Sequence, residues 1–156
     1  MKELVCVCGH GIDERHDCER LTRIDDPTQS LPLVTVLFAR RDSVYKTLPG
    51  CDVWDEDRDA RLWGGGMPLI AHPPCRTWGR LRHFARAPDD EHALALWAVE
   101  QVRTWGGVLE HPAASRLWPE ASLPRPGHSD SFGGWTLGIS QWWFGHRADK
   151  RTLLYI

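Results

Sequence analysis

"MPLIAHPPC", residues 67–75, runs from an unbroken apolar segment into two prolines and a cysteine. An apolar run without polar alternation suits a strand covered on both faces, as in a parallel sheet. Pro73 and Pro74 end the run and stiffen the backbone ahead of Cys75. Related runs lie on either side of this one: "LPLVTVLFA" (31–39), "CDVWD" (51–55) and "GVLEHP" (107–112) read as three more strands. Between them, "DSVYKTL" (42–48) reads as a short helix with Asp42 or Ser43 as N-cap, stopped by Pro49-Gly50. "EDRDARLW" (56–63) and "AASRLW" (113–118) read as helical turns, and 119–134 as a loop.

The clearest helix is "DDEHALALWAVEQVRTWGG" (89–107), with Leu94, Trp97, Ala98, Val102 and Trp105 on one face. Asp89 and Asp90 suit its N-terminus, Gly106 and Gly107 its C-terminus. "WTLGISQWWFG" (135–145) and "KRTLLYI" (150–156) read as an antiparallel hairpin at one edge of the sheet. Strand–helix–strand order predicts an α/β fold, with a mostly parallel, Rossmann-like sheet and a C-terminal antiparallel hairpin.

A length of 156 residues, 42% of them hydrophobic, fits one domain with its own core. That domain is expected over 32–156, after a polar connector at 21–31. Residues 1–20 read as a separate metal-binding segment. "CVCGHGIDERHDC" (6–18) puts Cys6, Cys8, His16 and Cys18 within reach of one structural zinc, with His10 an alternative to His16. No apolar run approaches transmembrane length and the N-terminus lacks a signal-peptide core, so no membrane association is expected and the cytosol is the default location.

A net charge of −2 supplies no global attraction for nucleic acid. Two local basic groups do: Arg76, Arg80, Arg82 and Arg86, then Arg147, Lys150 and Arg151. Nine tryptophans are many for this length; most fit a core, and tryptophan also stacks on bases.

In open α/β sheets ligands bind beyond the carboxyl ends of the strands. Those ends carry His72-Pro73-Pro74-Cys75 and Glu110-His111-Pro112, so a thiol and a carboxylate are expected to share a crevice, with Arg76 or Lys150 at its rim. His83, His92, His128 and His146 read as ordinary surface or loop residues.

"PLIAHPPCRTWGRL", "GGVLEHPAASRLW" and "SQWWFGHRADKRTLLYI" resemble, in order and approximate spacing, three motifs of the cytosine-5 DNA methyltransferases, and more closely their small phage and prophage relatives. The first is similar to the Pro-Cys nucleophile loop and the second to the Glu-Asn motif. The third is similar to a strand pair carrying a Gln- and Arg-rich motif. The resemblance implies Cys75 as nucleophile toward ring carbon 6 of a flipped cytosine. It implies Glu110 on the N3 edge and Lys150 as the matching basic residue. Phe38 and Asp55 would hold S-adenosylmethionine, and Arg76, Arg80, Arg82, Arg147 and Arg151 would grip DNA. A neighbouring Arg76, His72 or helix N-terminus would favour the thiolate.

The chain departs from that pattern at identifiable positions. Arg40, Arg41 and Asp42 stand where the cofactor loop has glycines, His111 stands for the asparagine, and Gln141 lies earlier than the motif glutamine. The resemblance therefore implies either a transferase acting on cytosine or a catalytically silent relative. The silent relative would bind nucleic acid or a partner protein, for example as a phage counter-defence factor inside a bacterial host.

Overall fold

The structure, a computed structural model, describes residues 33–156, within a unit that runs from Leu31 to Ile156. The zinc ligands expected at Cys6, Cys8, His16 and Cys18, and the connector 21–31, lie outside the described residues.

Four short strands form the parallel part of the sheet: β1 (Val34–Leu37), β2 (Cys51–Trp54), β3 (Leu69–Ala71) and β4 (Gly107–Pro112). With β5 (Thr136–Ser140) and β6 (Arg151–Tyr155) they make one six-stranded mixed sheet in the order β2-β1-β3-β4-β6-β5. β6 runs antiparallel both to β4, pairing Glu110 with Leu154, and to β5, pairing Gly138 with Leu153. From β1 the chain goes first to β2 on one side and then crosses to β3 on the other. The carboxyl ends of β1 and β3 therefore flank a topological switch point, where open α/β sheets leave a crevice.

Helix α1 (Glu91–Trp105) packs on β3 and β4. Its buried residues are Glu91, Ala95, Ala98, Val99 and Val102, so the inner face is rotated from the one expected through Leu94, Trp97 and Trp105. Small side chains explain the rotation: Ala95 and Ala98 let the helix approach the sheet closely, and the two tryptophans, too large for that gap, move to its flanks. Trp97 meets the Phe38 ring edge-on at 6.0 Å, and Trp105, 41% exposed, meets Trp63 edge-on at 6.4 Å. Asp90 holds the N-cap position without capping the helix; its carboxylate lies 2.5 Å from Arg61 instead.

The first helix expected, over 42–48, is a 3-10 turn at Val44–Thr47, with Ser43 as its cap. The expected turn at 113–118 begins later, as α2 (Leu117–Glu120). The first hairpin strand stops at Ser140 and not at residue 145. The Ser140 hydroxyl accepts the Trp142 N–H at 3.3 Å and opens a 3-10 turn over Gln141–Phe144.

The loop after α2 is fastened by Asp130. Its carboxylate accepts the Tyr155 hydroxyl at 2.7 Å and the N–H groups of Phe132 and Gly134 at 3.0 Å. Arg103, on α1, donates to the Ala121 carbonyl at 3.1 Å and lies 3.5 Å from Asp130. One buried ion-pair and hydroxyl network thus ties loop, helix and β6 together.

Candidate functional site

Phe38, the first residue past β1, adopts φ +60°, a left-handed backbone that non-glycine residues take at a cost of about 1–2 kcal/mol. A glycine-like conformation is thus present at the switch point, although no glycine is. Phe38 and Ala39 border two clefts, one on each side.

The first cleft, about 470 Å³, is lined among others by Tyr45, His72, Glu110, Gln141 and Lys150. Glu110 comes from β4, His72 from the end of β3, and Gln141 and Lys150 from the two ends of the hairpin turn. One Glu110 oxygen accepts Gln141 Nε2 at 3.0 Å, and the other lies 3.6 Å from His72 Nδ1. Gln141 also donates to the buried Thr152 hydroxyl at 3.1 Å, which fixes its amide. Tyr45 stacks on His72 with ring centroids 5.7 Å apart.

Burial pushes the Glu110 carboxyl up. The nearby His72 ring and the Lys150 charge outweigh it, and the net position is below the ordinary carboxylate range. Glu110 is therefore ionised at neutral pH, a hydrogen-bond acceptor facing the cleft. Burial, with the nearby Cys51 and Glu110 charges, raises the Tyr45 phenol and keeps it a neutral donor.

The second cleft, about 590 Å³, includes Asp55, Asp59, Pro74, Arg76 and Glu91. Asp55, just past β2, is buried. One of its oxygens accepts the Lys46 ammonium, and the other accepts the N–H groups of Asp57 at 3.1 Å and Arg58 at 3.3 Å. The Lys46 hydrogen bond is the main reason its carboxyl sits below the usual range.

The expected site is divided between these features. Glu110 and Lys150 share the first cleft, Asp55 lies in the second, and Phe38 borders both. Arg76 lines the second cleft, not the Glu110 rim, and is engaged by Glu91 through its Nε at 2.7 and 3.0 Å. That pair fastens the loop after β3 to the start of α1, so Arg76 serves there as a brace. Cys75 is exposed and is not among the residues that line either cleft. Arg80, Arg147 and Arg151 are exposed, and Arg82 leans on the Gly79 carbonyl at 3.5 Å. Among the described residues no group of three or more His, Cys, Asp or Glu side chains could hold a metal, and no helix is long and apolar enough to cross a membrane.

Several of these contacts escape a reading of the sequence. Gln141 reaches Glu110 only because the hairpin strand stops one residue earlier. Tyr45 and His72 meet only once β1 and β3 are neighbours. His92, read as a surface residue, stacks on the buried Trp78 at 3.7 Å.

His111, next to Glu110, is fully buried at the centre of β4, and neither ring nitrogen has a hydrogen bond of normal geometry. Burial pushes its pKa down to about 4, although the Glu110 charge and the nearby Pro74 carbonyl oppose the shift. The folded protein thus keeps the ring neutral while the unfolded chain binds a proton near pH 6.5. Stability should fall as pH drops from 6.5 to 4, by roughly 3 kcal/mol at most, and this residue should add nothing outside that window. Glu110, Asp55 and Asp130, all lowered, lose their contributions only at more acid pH. Urea midpoints measured from pH 7 to pH 4.5 should slope steeply in the wild type and much less in His111→Asn. Equal slopes would show that the ring does not titrate this way.

Compared with known proteins, the chain matches no family model, no curated protein and no solved structure.

Proposed function

We propose that this protein acts on cytosine in DNA, with Cys75 as nucleophile and Glu110 as the group that reads the ring. The observation that carries the reading is convergence. Glu110, Lys150 and Gln141 meet in one cleft beyond the carboxyl end of β4, and the exposed Cys75 lies three residues past His72, which shares that cleft. A parallel sheet closed by an antiparallel pair is also the arrangement expected of a methyltransferase-type domain.

In this reading the Cys75 thiolate forms a bond to ring carbon 6, and the carbon 5–carbon 6 π pair moves to carbon 5. Glu110, ionised and held by His72 and Gln141, accepts from the exocyclic amine, and the His72–Glu110 pair is placed to pass a proton to N3. Lys150 offsets the negative charge beside the cleft. S-adenosylmethionine, when bound, would supply the methyl group taken by carbon 5 and leave as the neutral thioether; loss of the carbon 5 proton to a base would then expel the Cys75 thiolate from carbon 6 and restore the ring. The second cleft has a size ordinary for such a ligand. Its carboxylates suit ribose hydroxyls and a sulfonium cation. Phe38 and Asp55 are the residues that would hold the cofactor, with a hydroxyl competing against Lys46 for Asp55.

Single-stranded and duplex DNA carrying 5-fluorocytosine, incubated with S-adenosylmethionine, should be trapped covalently by the wild type and not by Cys75→Ser. The serine is close in size and far less nucleophilic at neutral pH, so the variant should melt like the wild type.

A second reading is favoured by two observations: Cys75 stands off the cleft lining, and Lys46 already occupies Asp55. The protein would then hold nucleic acid or a protein partner without turnover. No trapping and no calorimetric response to S-adenosylmethionine, with DNA binding retained, would establish that reading over the first.

A further inference from the structure

The hairpin turn carries three successive aromatic side chains with no cover: Trp142, Trp143 and Phe144 are 61%, 67% and 76% exposed. Elsewhere Trp78 at 0% and Trp63 and Trp118 at 7% are buried, and Trp105 at 41% and Trp135 at 44% are less open than these three rings. Three large rings in a row, held by a capped turn, form a surface feature and not an isolated exposed residue.

The chemistry around them is one-sided. Between residues 135 and 151 the chain holds Arg147, Lys150 and Arg151 against a single acid, Asp149. Asp149 is already used, accepting the Ser140 hydroxyl at 2.7 Å and lying 3.6 Å from Arg151. Arg147 makes no ion pair among the described residues. Beside the rings runs an open groove of about 610 Å³, lined by Trp142, Trp143, Ile139, Leu153 and Arg151.

We propose that this tip is a stacking platform for unpaired bases, and that the protein's nucleic-acid partner is single-stranded DNA. Aromatic faces accept any unstacked base, whereas in a duplex the bases already stack on one another; cations beside the rings hold the backbone. Arg147 argues for this occupant over an apolar protein surface, which would leave its charge unpaired. The turn that carries the rings also carries Gln141 and Lys150 into the Glu110 cleft, so a strand lying on the tip delivers its next base there. That last link rests on the proposed cytosine chemistry; the stacking itself does not.

The test is tryptophan quenching and fluorescence anisotropy with a labelled mixed-sequence 15-mer, single-stranded or annealed, for wild type, Trp143→Ala, Trp142→Ala/Trp143→Ala and Arg147→Ala. Wild type should bind the single strand at least about tenfold tighter than the duplex. Each tryptophan removed should weaken that binding about tenfold, within the range for one stacked base. Arg147→Ala should weaken it less and flatten its salt dependence. Circular dichroism melts should show all variants folded, because none of these side chains is buried. Equal affinity for duplex and single strand, or unchanged binding in the double variant, overturns the proposal. So does sedimentation showing a dimer that the double variant dissolves, since the rings would then serve a second copy of the chain. Covalent trapping with 5-fluorocytosine separates the two ideas. Trapping that persists while stacking fails removes only the platform; stacking without trapping removes only the cytosine chemistry.

Discussion

Gly107→Ala is expected to leave no folded protein in the soluble fraction, whereas Gly64→Ala is expected to fold like the wild type. Gly107 opens β4 with φ +130°, where an L side chain is strained by itself. A Cβ there would also sit 1.9 Å from the Leu69 carbonyl oxygen and 2.6 Å from the Leu69 nitrogen. Both atoms are backbone, fixed by the pairing of β3 with β4, so no rotamer change can relieve the clash. The two central strands would have to part, breaking ladder hydrogen bonds and lifting α1 from the sheet. Strain plus lost pairing should exceed about 4 kcal/mol, a large share of what a domain of this size has to spare. Gly64 has open space around its Cβ position and no left-handed φ. Soluble yield and a circular dichroism melt of the two variants side by side decide the matter. A folded Gly107→Ala would mean that β3 and β4 are held far more loosely than their register implies.

Trp78→Ala should lower the melting temperature by roughly 10–20 °C, following from about 3–5 kcal/mol for emptying a large buried aromatic site. Trp78 is the largest fully buried side chain of the fold, and it lies in the loop that carries Cys75. Its ring is stacked on His92 of α1; its backbone N–H donates to the Cys75 carbonyl and its backbone carbonyl accepts the Arg116 N–H, each at 3.1 Å. The buried ring therefore holds the thiol loop against α1, and the backbone bonds tie it to the approach to α2. Its indole N–H has no hydrogen-bond partner, so Trp78→Phe gives up area but no hydrogen bond and should keep more than half of the lost stability. Hydrogen exchange should show amides 76–82 losing protection in Trp78→Ala well before those of β4. If the alanine variant melts like the wild type, the loop is not anchored by this ring.

The sheet was legible from residues because its strands are short apolar runs cut by Pro and Gly, and the boundaries at Pro49-Gly50, Pro73 and Pro112 are local chemistry. Helix α1 was legible in extent and not in orientation. Leu94, Trp97 and Trp105 carry the greater hydrophobicity, but Ala95 and Ala98 carry the closer fit to a flat sheet, and packing follows shape once two apolar faces compete. The left-handed Phe38 left no signal, because a strained residue looks like any other until its neighbours hold it. Of the candidate site, Glu110 and Lys150 were found from strand ends and motif order. Gln141 and Tyr45 belong to the same cleft through contacts with Glu110 and His72 that are remote in sequence, which no local pattern encodes. The Arg76–Glu91 pair is a further contact that local sequence does not show: a basic residue beside a thiol also holds the start of a helix 15 residues on.

Strand β6 has a consequence for how the chain comes off a ribosome. It lies between β4 and β5, yet it is synthesised after both. A nascent chain stopped before residue 151 can assemble its parallel half, but β4 then shows a bare edge and β5 has no neighbour to join. Bare edges recruit strands from other chains. The interval between the appearance of residue 112 and that of residue 155 is thus when copies on one polysome are most prone to stick together. Slow codons across that interval would lower yield.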